Sequence, residues 1–281
     1  MGVFPRFGSW INQKSQQPLK AESKISKNVD SEEDNFELPN KDYLDLKEVR
    51  KQMNLWREAE KKHPWHNASP KIKVTRENGF YHMHIELTLG LDPDQVYFFL
   101  TDPESDCFFF LMKENKSRKV LFENGPRLIT RVEKSVACKV FGVYIPISMH
   151  LILDENRKDY MTQYKKERVI FMKEFKGNYK VEPVFVDKER LCKKKIPMTR
   201  EEYKKCSGGK GKIASKLTLD QFYKPYPPFN LPPLSWLVRG LTIKTSKVLL
   251  ALLQDMTWLV RTSKPPPSED SKSASNKHEK H

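Results

Sequence analysis

No stretch of this chain is long and apolar enough to cross a membrane as a helix. The greasiest candidate is cut by Lys247 and Asp255, which leave seven uncharged residues between them, where a span needs ~20. Cysteine is scarce, with four in 281 residues. Cys107, Cys138, Cys192 and Cys206 show no CxxC spacing, so reduced thiols in a cytoplasmic or nuclear setting are the economical expectation. No secretory leader is recognisable, and the sequons Asn67-Ala68-Ser69 and Asn115-Lys116-Ser117 are therefore expected to be idle. Met1-Gly2 invites myristoylation, but Arg6 stands where Ser or Thr is required. The first 21 residues are basic and free of acids, which leaves a chloroplast transit peptide open. Scarce Ser and Thr and the apolar anchors Phe4, Phe7, Trp10 and Ile11 weigh against its cleavage.

Catalytic signatures are missing as well. Neither GxSxG nor HExxH occurs, and no cysteine has a recognisable histidine partner. Ser207-Gly-Gly-Lys-Gly-Lys212 looks like a phosphate loop, but Lys212 leads into Ile213 and a strand rather than into a helix. It reads either as a flexible glycine bend or as amides that, with Lys210 and Lys212, hold a lipid or nucleic-acid phosphate. His82, His84 and Glu86 share one strand face, yet that face opposes the apolar one and leaves a fourth ligand unsupplied. No metal and no cofactor is expected. His150 also lies opposite an apolar row, and nothing marks it as a base.

What the chain has in abundance is positive charge. The formal net charge is +15, and Glu155 to Lys216 alone carries 19 basic against 9 acidic residues. Lys193, Lys194, Lys195, Lys204, Lys205, Lys210 and Lys212 would make a basic surface, suited to an anionic membrane, nucleic acid or an acidic protein. A solvated lysine-rich surface is the plainer reading. For nucleic acid the loop offers one stacking aromatic, Tyr203, where a platform wants several.

Gln13 to Pro39 is a polar linker, so residues 1–39 are expected to be flexible. Asn40 can cap a helix in which Leu46, Val49, Met53 and Trp56 form one stripe, and His63-Pro64 closes it. Residues 40–65 are then an amphipathic helix docked on the main domain, 66–263. Met83, Ile85, Leu87 and Leu89 alternate with His82, His84, Glu86 and Thr88, the period of a strand with one buried face. Asp92, Pro93 and Gln95 open a short helix with Val96, Phe99 and Leu100 on its stripe, ended by Thr101-Asp102-Pro103. Strands are expected at Cys107–Met112, Ser117–Phe122, Leu128–Val136, Val140–Ile147, Tyr160–Tyr164, Arg168–Lys173 and Tyr179–Phe185. Ile147, Met149, Leu151 and Leu153 share a face, and Gly177-Asn178 is the strongest hairpin signal. Strands in such close succession argue for an antiparallel sheet.

Residues 187–212 are too long and too charged for a tight turn, so they read as an excursion. Ile213–Phe222 returns to strand, and Tyr223–Pro233 is a stiff connector with five prolines. A final helix capped by Ser235 runs to about Thr262, with Leu237, Leu241, Thr245, Val248, Leu252, Met256 and Leu259 as its stripe. The tail, 264–281, is expected to be disordered.

The run from Lys71 to Asp106 is a strand, then a proline-started helix ending at TDPE, then aromatic strands. It resembles the START/polyketide-cyclase superfamily. MGVFPRFGSWIN, EAEKKHPWH, REEYKKCSGGKGKIASKLTLDQFYKPYPPFNLPP and the final helix carry a resemblance over nearly the whole chain, to the plant family catalogued as domain of unknown function 220. The resemblance implies an α+β helix-grip fold, a curved antiparallel sheet around a long C-terminal helix with an apolar cavity between them. A hydrophobic small molecule or lipid would lie among Met83, Ile85, Leu87, Tyr144, Met149, Leu151, Leu241, Thr245, Val248 and Leu252. Thr245 and Tyr144 are the polar groups that cavity offers, with core filling as the plain alternative. Two other readings stay open: a basic interaction protein with a filled core, and a cyclase-like enzyme for which no acid/base pair can be named. The oligomeric state is not readable from the sequence.

Overall fold

The computed structural model describes residues 45–101, 115–140, 143–169, 171–193 and 196–263. The predicted strand Cys107–Met112, the linker and the tail lie outside them. In chain order the elements are α1 (Leu46–Lys62), β1 (Lys71–Glu77), β2 (Phe80–Leu89), α2 (Pro93–Thr101), β3 (Asn115–Asn124), β4 (Arg127–Val140) and β5 (Val143–Asn156). They continue as β6 (Met161–Val169), β7 (Met172–Phe185), α3 (Lys188–Leu191), α4 (Arg200–Cys206), β8 (Ile213–Pro225) and α5 (Leu234–Thr262). Among the described residues the strands form one antiparallel sheet, ordered β1-β2-β8-β7-β6-β5-β4-β3. The sheet curves beneath α5, and the architecture is an α+β helix-grip fold.

The alternation in β2 is realised residue by residue. Tyr81, Met83, Ile85, Leu87 and Leu89 are buried, while His82, His84, Glu86 and Thr88 are half-buried on the outer face. Asn78 and Gly79, both at positive φ (51° and 77°), turn β1 into β2, the backbone a two-residue hairpin requires. Asp92 caps α2, its Oδ1 accepting from Asp94 N at 3.0 Å.

Several boundaries differ from the sequence expectation. Gly177-Asn178 makes no hairpin and sits mid-strand in β7, paired with Tyr164 and Gln163. The glycine is there for space: a Cβ would collide with the Tyr164 hydroxyl and the Asp220 carbonyl. Val140–Ile147 is not one strand, because Val140 pairs with Val143 and the chain reverses inside the apolar run. Arg168–Lys173 likewise spans the end of β6 and the start of β7. The first helix begins after Asp45, which caps the amides of Lys47 and Glu48 at 3.1 Å each, five residues beyond Asn40.

The last helix departs most. Ser235 is not its cap: Pro233 holds that position, and the Ser235 amide already donates to Leu231 O at 2.8 Å. Among the described residues the buried positions are Ser235, Thr242, Ser246, Leu250, Leu253, Thr257 and Arg261, and Thr242, Ser246, Leu253 and Thr257 each stand one residue beyond a predicted position. One residue is a rotation of about 100°. Leu237 and Leu259 are 57% and 53% exposed, and Leu252 and Met256 are half-buried. The reason is that hydroxyls can be buried cheaply on a helix. Thr242 Oγ1 donates to Val238 O at 2.9 Å and Thr257 Oγ1 to Gln254 O at 2.8 Å, which satisfies them without leaving the helix.

The excursion is folded rather than loose. Thr199 caps α4 by accepting from Glu202 N, and Tyr203 packs on Phe185 while its hydroxyl donates to Val186 O. Cys192 and Cys206, expected as free thiols, meet across 5.1 Å between Cα atoms and form a disulfide. Spacing along the chain hid the pair because α4 folds back on the end of α3.

Three side chains lock α1 to this core. Gln52 bridges Gly211 O (3.1 Å) and Ile213 N (3.0 Å), and Trp56 Nε1 donates to Ile213 O at 2.9 Å. Arg261 of α5 donates to Glu60 Oε2 at 2.8 Å and to Gly90 O at 3.0 Å.

Candidate functional site

The inner face of the sheet, beneath α5, brings together Met83, Ile85, Leu87 and Leu151 with Leu250 and Leu253 of the helix in one buried cluster. The side chains of Tyr144, Met149, Leu241, Thr245 and Val248 lie outside the described residues.

Across the same face runs a seam that was not singled out from the sequence. Tyr81 and Tyr223 stack at 5.0 Å between ring centroids, and Tyr81 Oη donates to Ser235 O at 3.4 Å. Two residues along β8, Gln221 is 1% exposed and its Oε1 accepts from Tyr164 Oη at 3.0 Å. Tyr179 of β7 is equally buried, and Ser246 of α5 reaches Met83 Sδ at 3.5 Å. Burial pushes the Tyr164 and Tyr179 hydroxyls well up, and that of Tyr223 up to about 12. All three therefore stay protonated near neutrality; Tyr164 donates to Gln221, while the Tyr179 and Tyr223 hydroxyls have no hydrogen-bond partner among the described residues.

Among the described residues, Gln221 Nε2 and Ser235 Oγ have no hydrogen-bond partner. The protonated Tyr164 hydroxyl donates to Gln221 Oε1, so the unpaired end of the amide is its Nε2 donor. The signal was readable in principle: continuing the alternation of β8 past Leu217 and Leu219 places Gln221 and Tyr223 on the inward parity.

A second polar group ties α4 to the start of α2. Arg200 donates to Asp94 Oδ2 at 2.8 Å and reaches Asp92 Oδ1 at 3.5 Å, and Tyr160 Oη donates to Asp94 Oδ1 at 2.6 Å. Burial pushes the Asp92 carboxyl up to about 8, against the opposing pull of Arg200. At 1% exposure this carboxyl acts as a strut.

On the outer face, the predicted trio of His82, His84 and Glu86 is rearranged. Asp220 of β8 enters between the histidines, its Oδ1 2.7 Å from His82 Nε2 and 2.9 Å from His84 Nδ1. Glu86 instead accepts from Lys216 Nζ at 2.8 Å.

The basic residues do not form one free surface. Lys204 pairs with Glu48 at 2.7 Å, and Lys212 Nζ lies 5.1 Å from the centre of a Trp56 ring. Lys193, Lys205 and Lys210 are exposed. Lys194 and Lys195 lie outside the described residues.

A model described as Domain of unknown function DUF220 matches residues 71–263, the span from β1 to the end of α5. The chain belongs to the DUF220 family. Among curated proteins, none is similar to it in sequence. Solved structures similar to this DUF220 chain include the Zhui aromatase/cyclase from Streptomyces sp. R1128, 10% identical over 64% of this chain and 94% of that one, with a TM-score of 0.40. Another is a START superfamily protein from Mycobacterium smegmatis (8% identity, 64% and 98% covered, TM-score 0.39). A third is the STAR-related lipid transfer protein from Xanthomonas axonopodis (14% identity, 69% and 98% covered, TM-score 0.37).

Proposed function

We propose that this DUF220 chain binds a hydrophobic small molecule or lipid at the inner face of the sheet, beneath the N-terminal half of α5. The observation that carries the reading is the unpaired end of the Gln221 amide. A buried polar group without a partner costs about 1–3 kcal/mol, and such groups in native proteins are served by water or by a ligand. Around it lie the rings of Tyr81, Tyr164 and Tyr223, an apolar wall with polar tips. The ligand class this favours has an apolar body and one or two oxygen acceptors.

The cyclase-like reading has less support. The titratable groups along the seam are tyrosines, and burial holds Tyr164, Tyr179 and Tyr223 protonated, which supplies donors but no base. For nucleic acid, the pairing of Lys204 and the seating of Lys212 on Trp56 remove two of the cations that reading needs.

Fluorescence titration with 1-anilinonaphthalene-8-sulfonate, which pairs an apolar body with an acceptor, tests the reading. Saturable binding to the native protein is expected, weakened about tenfold by Gln221→Leu, the equivalent of ~1.4 kcal/mol. Equal affinity in a folded Gln221→Leu variant would remove Gln221 from the site.

A further inference from the structure

We propose that His82, His84 and Asp220 form a binding site for a divalent transition-metal ion of the Zn²⁺ type, on the face of the sheet opposite the ligand seam. The site is assembled by strand register. His82 and His84 stand two apart on β2, so their side chains leave the same face. The antiparallel pairing of β2 with β8 sets Asp220 directly across from His84. The three donor atoms lie within 4.8 Å of one another, and both ring nitrogens converge on a single carboxylate oxygen.

Two imidazoles and a carboxylate suit Zn²⁺, Co²⁺, Ni²⁺ or Cu²⁺ and not the oxygen-seeking Mg²⁺ or Ca²⁺. Ligand bonds of ~2.0–2.2 Å in a tetrahedron keep neighbouring donors about 3.3 Å apart. An ion therefore enters when the 2.7 and 2.9 Å contacts open by about half an ångström. The side chains have room for that, being 37%, 36% and 27% exposed for His82, His84 and Asp220. Each ring then carries its proton on the nitrogen away from the metal.

The surroundings favour that exchange. His84 Nε2 faces Glu86 Oε1 at 3.8 Å, and Lys216 Nζ holds that same oxygen at 2.8 Å. A carboxylate behind a metal-bound histidine holds its tautomer and raises its basicity. The His82 ring is stacked on Phe222, 4.3 Å away and 5° from parallel, which sets its plane. Three protein ligands leave the fourth position of the tetrahedron to water or to a group from outside, since the site opens to solvent.

The competing account is a plain hydrogen-bonded trio, two neutral histidines donating to Asp220. Titration of the metal-free full-length chain with Co²⁺, followed by visible absorption, separates the two, with Zn²⁺ competition as a second readout. Wild type is expected to take up one equivalent with the strong d–d bands of a tetrahedral N₂O site. His82→Gln with His84→Gln should abolish those bands. Asp220→Asn, which keeps a hydrogen-bond acceptor and so protects the fold, should weaken binding at least tenfold. Glu86→Gln should weaken it by about 10–100-fold, the range for ligand-orienting carboxylates. A His278→Gln, His281→Gln chain should bind as wild type does, which excludes the tail. No saturable uptake by wild type, or uptake unchanged in the His82→Gln, His84→Gln protein, would overturn the proposal.

Discussion

Gly177 lies directly across the β6–β7 ladder from Tyr164, and the tyrosine hydroxyl occupies the space where a Cβ at position 177 would stand. That placement frees Tyr164 Oη to reach Gln221 on β8. Gly177→Ala must push aside both the Tyr164 ring and the Asp220 carbonyl, which belongs to the backbone. Overpacking of this kind costs about 1–3 kcal/mol, so a urea midpoint lowered to match, with unchanged m, is expected. A midpoint equal to wild type would contradict this steric account.

The same glycine shows where sequence reading stops. As a dipeptide, Gly177-Asn178 signals a turn, and only the neighbouring strands reveal that it makes way for a side chain. The β2 alternation was legible because each residue reports its own face. The α5 stripe was not, since Leu237 and Leu259 outweighed the hydroxyls of Thr242, Ser246 and Thr257, and it came out one residue out of phase. The reversal between β4 and β5 was missed because Gly142 is a lone turn residue in an otherwise apolar run that reads as one strand. Asp220 could not have been assigned to the histidines from one strand, because the β2–β8 register joins residues more than a hundred positions apart.

Asp92 gives a pH prediction of definite sign. Its carboxyl is raised from an ordinary value near 4 to about 8 by burial, so the folded state holds the proton more tightly than the unfolded chain. Below about pH 4 the group is protonated in both states. From there to about pH 8 only the folded state keeps the proton, and stability falls as pH rises. Above that the group is charged in both. Asn caps helices as well as Asp does, so Asp92→Asn keeps the cap and removes the titration. Urea midpoints of wild type relative to Asp92→Asn should fall steadily across that window. A constant or rising difference would contradict the account.

Native mass spectrometry of the intact protein purified from its own cells, followed by organic extraction, tests the central claim most directly. The account predicts a stoichiometric passenger with an apolar body and an oxygen acceptor, carried by wild type and depleted from the Gln221→Leu protein. A protein that is empty under gentle conditions, and that stays empty when offered the extracted lipids of those cells, would contradict it.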